Sequence, residues 1–400
     1  MRHYFCTNCW RFIEEDMAFY TCPKCANPKS TKSRNGWSTP PILQPNQKTI
    51  QQQRVKKLRT WWRMLDENSL KLCKKHPDEE GTLFCECGMR LSENNAVQVR
   101  ENGERNAIRI VGSRGSGKTV WLTTMCRSLR SEDTPFDLLG IGDTEMNFSI
   151  IETAFLKNKT RPPATKPNAN LRFAWCIKDK NGLDNAEYPV LMVHDIAGEV
   201  WSNLRHGRVP EDLDHYVTSP GDLIFIIDGA RLATDLPEKL QDKTPKDDWE
   251  TTRTGDDGAE DRIILSNILN YIPQSKRKNM RLALVITKSD RLTHLKDEYP
   301  ILDCYKRIEP KDPKKSEKEK QNSENQEKLA KLLGIAQRGA LVGFGKDFQD
   351  FKIFTTSSLG FSPLKDKHIV DEKTLNRAPK PECVADPILW LLTSNGFAYA

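Results

Sequence analysis

Residues 112–119 read Gly-Ser-Arg-Gly-Ser-Gly-Lys-Thr, and no other stretch of the 400-residue chain restricts its fold as much. Glycines at these spacings let the backbone wrap an anion with its N–H groups turned inward. A helix opening at Lys118 would add partial positive charge at the same point. The stretch follows the apolar run Ala107–Val111 and precedes a helix-like run, the setting this phosphate-binding pattern requires. It predicts a strand, a loop and a helix in that order. Gly112, Ser113, Arg114, Gly115, Ser116, Gly117, Lys118 and Thr119 are then expected to line a phosphate chain. Lys118 would reach its outer phosphates, and the Thr119 hydroxyl would ligate Mg²⁺.

From about residue 105, strand-length apolar runs alternate with longer polar or helical stretches. The runs are Ala107–Val111, Leu171–Ile177, Pro189–His194, Leu223–Asp228, Leu282–Thr287 and Phe351–Thr355. Such alternation predicts an α/β domain, a mainly parallel sheet covered by helices on both faces. Ala259–Ile272 and the short Asp386–Leu392 read as helices. Residues 231–257 read as a polar loop. Residues 309–328 read as a charge-balanced insertion, solvated or disordered, with no apolar period. The predicted layout is a zinc ribbon (1–30), a basic linker with an amphipathic helix (31–66), a second zinc module (67–100), and a P-loop domain (101–398). The linker helix is read over 50–65, from Val55, Leu58, Trp62 and Leu65 on one face.

Two further segments sit at strand ends. Asp195 closes a hydrophobic strand and opens Asp195-Ile-Ala-Gly198, which would set Asp195 near Mg²⁺ and the Gly198 N–H near a terminal phosphate. Thr287-Lys288-Ser289-Asp290 follows the strand Leu282–Ile286. Its Asp290 carboxylate would accept from the N1–H and 2-amino group of guanine, donors that adenine lacks. The Lys288 stem would lie over the base. After the last strand, Ser357, Ser358 and Leu359 would brace the base edge through backbone N–H groups. Asp290→Asn is therefore expected to shift preference from GTP to xanthosine nucleotides.

In this order, the segments resemble the TRAFAC class of P-loop GTPases, which includes the Ras-like switches, over about residues 105–395. The Asp-x-Ala-Gly-Glu form and the closing Asp386-Pro-Ile-Leu-Trp-Leu-Leu392 look most like bacterial double-GTPase families, associated with conflict or anti-phage systems. The resemblance implies GTP/GDP and Mg²⁺ as ligands, slow intrinsic hydrolysis, and a Mg²⁺-binding Thr in a first switch loop. The candidates are Thr134, Thr144, Thr160 and Thr165, with Thr165 preferred because it lies closest before the second strand. Two positions depart from the Ras-like pattern. Glu199 stands where a water-orienting Gln is usual, and reads either as a catalytic carboxylate or as a solvent-facing switch residue. Arg114 stands where a small residue is usual, and reads either as a charge donor in cis or as an outward-facing side chain. Arg205 and Arg208 are further possible charge donors or plain surface residues.

Seven of the 11 Cys lie before residue 90, in close pairs. In a reducing compartment such pairing favours metal over disulfide. Cys6-x-x-Cys9 and Cys22-x-x-Cys25 form a zinc-ribbon pattern, and Cys73-x-x-His76 with Cys85-x-Cys87 reads as a second structural zinc site. A pairing that crosses the two sets stays open. Cys126, Cys176, Cys304 and Cys383 are isolated and read as buried apolar residues. His194, at a strand end, reads as structural.

All the excess charge also lies in the first quarter: residues 1–100 hold 17 Lys+Arg against 10 Asp+Glu, and the remainder is balanced. The acid-free stretch from Ala26 to Leu65, with Trp37, Trp61 and Trp62, reads as a nucleic-acid contact within residues 1–65, as a partner-packing helix or as a membrane-surface contact. No apolar run approaches the roughly 20 residues of a membrane span. With no signal peptide visible, a cytoplasmic location is expected. The favoured reading is a GTP-hydrolysing switch whose zinc modules meet protein partners of the same system. A GTP-gated nucleic-acid sensor and a non-hydrolysing scaffold are the alternatives.

Overall fold

A computed structural model of the chain describes short segments of its first hundred residues and most of the remainder. The described residues are 3–5, 10, 12–14, 19–21, 72–73, 76–80, 82–84, 90–91, 98–99, 107–113, 115–131, 134, 136–141, 144–160, 171–180, 190–195, 216–218, 221–241, 257–306, 308, 312–361, 369–371 and 374–394. The chain divides into two units, Met1–Glu101 and Asn102–Ala400.

The first unit is built of short antiparallel strands. They are β1 (His3–Phe5), β2 (Phe12–Glu14), β3 (Phe19–Thr21), β4 (Leu72–Cys73), β5 (His76–Glu80), β6 (Thr82–Phe84), β7 (Arg90–Leu91) and β8 (Gln98–Val99). β1 pairs with both β2 and β8, and β3 pairs with β6. Residues 1–30 and 67–100, read from sequence as two modules, therefore share sheets. Sequence pattern could not show this, because pairing between residues as far apart as Thr21 and Thr82 or His3 and Val99 leaves no local signal. Cys73 and His76 are register partners in the β4–β5 pair. Cys6, Cys9, Cys22, Cys25, Cys85 and Cys87 lie outside the described residues, as do the linker and its helix.

In the second unit, seven of the described strands form one sheet. They are β9 (Ala107–Gly112), β10 (Phe136–Gly140), β11 (Leu171–Asp179), β12 (Val190–Asp195), β13 (Asp222–Asp228), β14 (Arg281–Thr287) and β15 (Asp350–Thr355), ordered β10-β11-β12-β9-β13-β14-β15. The four junctions from β12 to β15 are parallel, and the two at the β10 edge are antiparallel. β9, β13 and β14 are buried along their whole length, which continuous apolar runs achieve only beneath helices on both faces. On one face Ile108, Ile110, Ile224 and Val285 meet α1 (Lys118–Leu129), α2 (Thr144–Glu152) and α8 (Asp386–Ser394). Strand alternation turns Arg109 and Val111 the other way. α4 (Asp257–Tyr271) packs on β9 and is followed by the single turn α5 (Gln274–Arg277), while α6 (Lys315–Ile335) and α7 (Gly339–Gly345) pack on β15. β10, absent from the sequence reading, is a short edge strand with an interrupted apolar pattern.

Buried within β9, the Arg109 guanidinium donates to the carbonyls of Tyr216, Val217 and Gly221. Burial lowers its pKa to about 10, so it stays charged. It ties down the segment that leads into β13.

Three expectations are corrected. Residues 315–328 of the insertion are helical, because α6 runs on into a true apolar stripe at Leu329, Leu332 and Leu333. Its polar first turns are braced by Asp312, which accepts from the Lys314 N–H and pairs with Lys318. The polar loop begins later than expected, since Gly229–Asp235 forms α3 and Glu238–Leu240 a single 3₁₀ turn. Residues 242–256 lie outside the described residues. Finally, Cys304 and Cys383 are not isolated: they form a disulfide. Local spacing carries no sign of a bond between residues 79 apart. Cys126 and Cys176 are free and buried as expected, and burial pushes the Cys176 thiol up to about 12.

α6 also closes the sheet edge. The Gln326 side-chain amide accepts from the Ile353 N–H at 2.6 Å and donates to the Ile353 carbonyl at 2.9 Å, as a neighbouring strand would. Gln326→Leu should cost about 1–2 kcal/mol, because both backbone groups lose their partner. Chemical denaturation would read this as a lower midpoint at unchanged slope.

Candidate functional site

The loop after β9 turns sharply into α1. Gly115 and Gly117 hold φ of +73° and +80°, conformations that side-chain-bearing residues rarely adopt. At Gly112 a Cβ would stand 2.6 Å from the Ile226 carbonyl oxygen of the adjacent strand. Lys118 opens the helix and folds back over the loop, donating to the Gly112 and Ser113 carbonyls at 2.9 and 2.8 Å. The Ser116 hydroxyl donates to the Ser113 carbonyl at 2.7 Å. The ammonium thus lies against the loop backbone beside the N-terminus of α1. The chemistry of that donor set suits a polyphosphate. Thr119 is the second residue of α1, and Arg114 lies outside the described residues.

The 287–290 segment touches this loop directly. The Thr287 hydroxyl donates to the Ser116 carbonyl at 2.6 Å, with the Ile227 carbonyl 3.1 Å away. The Lys288 ammonium donates to the Gly115 carbonyl at 3.0 Å and to the Asp228 carboxylate at 2.8 Å. Lys288 itself sits at φ +50°. Asp290 accepts from the Ser357 hydroxyl at 2.5 Å, and Ser357 accepts from the Gly360 N–H at 2.9 Å. Burial pushes the Asp290 carboxyl up to about 6, against the pull of the Ser357 hydroxyl.

The Ser357 N–H is not directed at a ligand as the sequence reading had it, because it donates to the Glu382 carbonyl at 3.1 Å. The hydroxyl instead donates to Asp290. Ser358 is buried, and the Leu359 carbonyl accepts from the Lys380 N–H at 2.7 Å.

The switch residues are less fully placed. Asp195 ends β12, its backbone paired with Leu171. The side chains of Asp195 and His194 lie outside the described residues, as do Thr165, Gly198, Glu199, Arg205 and Arg208. The other first-switch candidates have local structural roles. Thr144 accepts from the Ala174 N–H at 3.1 Å, Thr134 donates to the Leu129 carbonyl at 2.5 Å, and Thr160 bridges to Thr374.

Sequence reasoning missed the layer behind the loop. Asp228 ends β13, is buried, and caps α3 by accepting from the Ala230 N–H. Its second strand-ending carboxylate, beside Asp195 in the pattern, was the available signal. Asp261 of α4 is fully buried and pairs with Arg338 at 3.2 Å. Arg338 also binds Asp235 at 2.5 Å. Burial pushes Asp261 up to about 6, partly offset by Arg338 and by the Ser113 hydroxyl of the loop that faces it. No local pattern could announce this cluster, since its members come from α3, α4 and the turn before α7. Asp228→Asn should weaken nucleotide binding about tenfold, the loss of one charge-assisted bond that orients Lys288. Equal losses for GTP and GDP, read by titration, would place the effect at the base rather than at the outer phosphate.

A Gly-rich loop between a strand and a helix, at the end of a mostly parallel seven-stranded sheet with helices on both faces, is the arrangement of a P-loop nucleotide-binding fold. Residues 109–306, just under half of the chain, match the family described as Double-GTPase 1. The chain is thus similar to that family over a range that includes residues 112–119, 195–198 and 287–290. No curated protein matches it. Similar solved structures include a signal recognition particle receptor SRb-GTP/SRX complex from Chaetomium thermophilum, at 14% identity and TM-score 0.28, covering 65% of this chain and 94% of that one. Another is the Ski7 GTPase-like domain of S. cerevisiae bound to GTP, at 12% identity and TM-score 0.35, covering 74% and 50%. A third is nucleolar GTP-binding protein 1 of Plasmodium falciparum, at 10% identity and TM-score 0.30, covering 73% and 88%. No helix among the described residues is long and apolar enough to cross a membrane.

Proposed function

We propose that the second unit binds GTP with Mg²⁺, hydrolyses it slowly, and uses the exchange of GTP for GDP as a switch. The observation that carries this reading is the direct bonding of the phosphate loop to the 287–290 segment, through Thr287 to Ser116 and Lys288 to Gly115. One ligand with a triphosphate and a purine would span the two. Lys118 and the loop N–H groups take the phosphates, and the Lys288 stem lies on the base. Asp290 accepts from the N1–H and 2-amino group, so guanine is preferred to adenine. Thr119, Thr165 and Asp195 would hold Mg²⁺, which neutralises charge on the phosphates. Glu199 orients the attacking water, with Gly198 donating its N–H to the terminal phosphate. Arg114 is a candidate for the charge that builds on the phosphates in hydrolysis.

In the first unit, the Cys and His pairs hold structural zinc and present a surface to a protein partner, in keeping with a role in bacterial defence. Calorimetry with Mg²⁺ tests the nucleotide reading. A GTP preference over ATP on the order of a hundredfold is expected, and equal affinities would overturn it.

A further inference from the structure

The Cys304–Cys383 bridge stands one residue from the support of the candidate base site. Cys383 follows Glu382, whose backbone exchanges two hydrogen bonds with Ser357, N–H to carbonyl at 2.8 Å and carbonyl to N–H at 3.1 Å. Ser357 is the residue whose hydroxyl donates to Asp290. Beside it, the Lys380 N–H donates to the Leu359 carbonyl at 2.7 Å. At Gly360 a Cβ would stand 2.0 Å from the Lys380 carbonyl oxygen. The 380–383 segment therefore frames the 357–360 loop along its length.

The bridge anchors that frame to the segment that follows β14. There the Leu302 N–H donates to the Thr355 hydroxyl at 2.9 Å, and the Tyr305 N–H donates to Asp386 at 2.7 Å. Cys383 sits at φ +55°, a conformation costly for a residue with a Cβ unless its surroundings impose it. Cys304 is exposed and Cys383 half-buried, so Cys304 is the more accessible end of the bridge.

We propose that Cys304 and Cys383 form a redox-modifiable site that sets guanine affinity: the disulfide holds the Asp290-bracing loop, and its reduction releases it. The proposal rests on the guanine reading above. The co-reactant is a dithiol. Its thiolate attacks the Cys304 sulfur, the Cys304–Cys383 bond breaks, and Cys383 leaves as thiolate. The second thiol of the reductant then displaces Cys304. The reductant ends as a disulfide and the protein gains two thiols, with the two protons and two electrons accounted for. In a compartment that keeps the N-terminal cysteines as thiols, such a bond is the kind that forms transiently.

The test uses the full chain, oxidised or treated with dithiothreitol, with GTP and ATP affinities measured in each state. Reduction should free two thiols and weaken GTP about tenfold, as expected when a bond to a charged acceptor is loosened. ATP should be little changed, because the phosphate loop is untouched. The Cys304→Ser/Cys383→Ser variant should match the reduced protein and ignore dithiothreitol, which separates this pair from the other cysteines. Equal GTP affinity in both states, an equal loss for ATP, or a variant that still responds would each overturn the proposal. Oxidised protein that holds GTP and ATP alike would remove the guanine reading, and this proposal with it.

Discussion

Lys118→Ala is expected to abolish measurable triphosphate binding while leaving the fold intact. The ammonium is held by two loop carbonyls on the phosphate side of the loop. Hydrogen bonds to charged groups contribute ~1.5–3 kcal/mol each. Losing two of them to a triphosphate weakens binding by roughly two to four orders of magnitude. Lys118 is only partly buried, so circular dichroism should be unchanged. GTP and ATP should lose affinity together, since the residue faces phosphate and not base. Undiminished GTP binding by the variant would place the nucleotide somewhere else.

Asp290→Asn should exchange the preferred base. On the proposed guanine reading, the carboxylate would accept two donors that guanine supplies. The amide offers a donor in place of one acceptor and suits the 2-oxo group of xanthine. GTP affinity should fall roughly a hundredfold, and that for xanthosine triphosphate should rise correspondingly. The same carboxyl predicts a pH dependence. Burial holds it at about 6 in the free protein, and guanine needs it ionised. GTP affinity should be flat above about pH 7 and fall by up to tenfold per unit below about 6. Asp290→Asn with the xanthosine nucleotide should lack that slope. Stability responds in the opposite sense. A carboxyl whose folded pKa lies above its ordinary value of 3.8 contributes less stability as pH rises from about 4 through 6, and nothing further changes above that. Stability and affinity scans of one sample should therefore run in opposite directions over this window.

The wider organisation was legible because its causes are local. A Gly-rich turn between a strand and a helix announces itself in eight residues, Gly112 to Thr119. Strands buried on both faces announce themselves as unbroken apolar runs, as Leu223–Ile227 does. The Thr287–Asp290 segment stood out by its place after β14. What failed to show was non-local or carried a weak local signal. Half of α6 has no apolar period and is held by Asp312 at its start and by the buried Asn322, whose amide bonds the Lys306 backbone. β10 is too short and too exposed to read as a strand.

The sequence alone determined that a Gly-rich loop joins β9 to α1 and that a carboxylate, Asp290, follows a later strand. Backbone conformation and side-chain chemistry at those positions are properties of neighbouring residues. Tertiary structure alone decided that Thr287 and Lys288 reach across to the loop, and that Asp228 and Ser357 hold the two ends of the base segment. It also decided that Asp261 and Arg338 back the phosphate loop and that Cys304 meets Cys383. Each of these joins residues far apart in the chain, and only the packed sheet and its connecting loops bring their side chains within bonding distance.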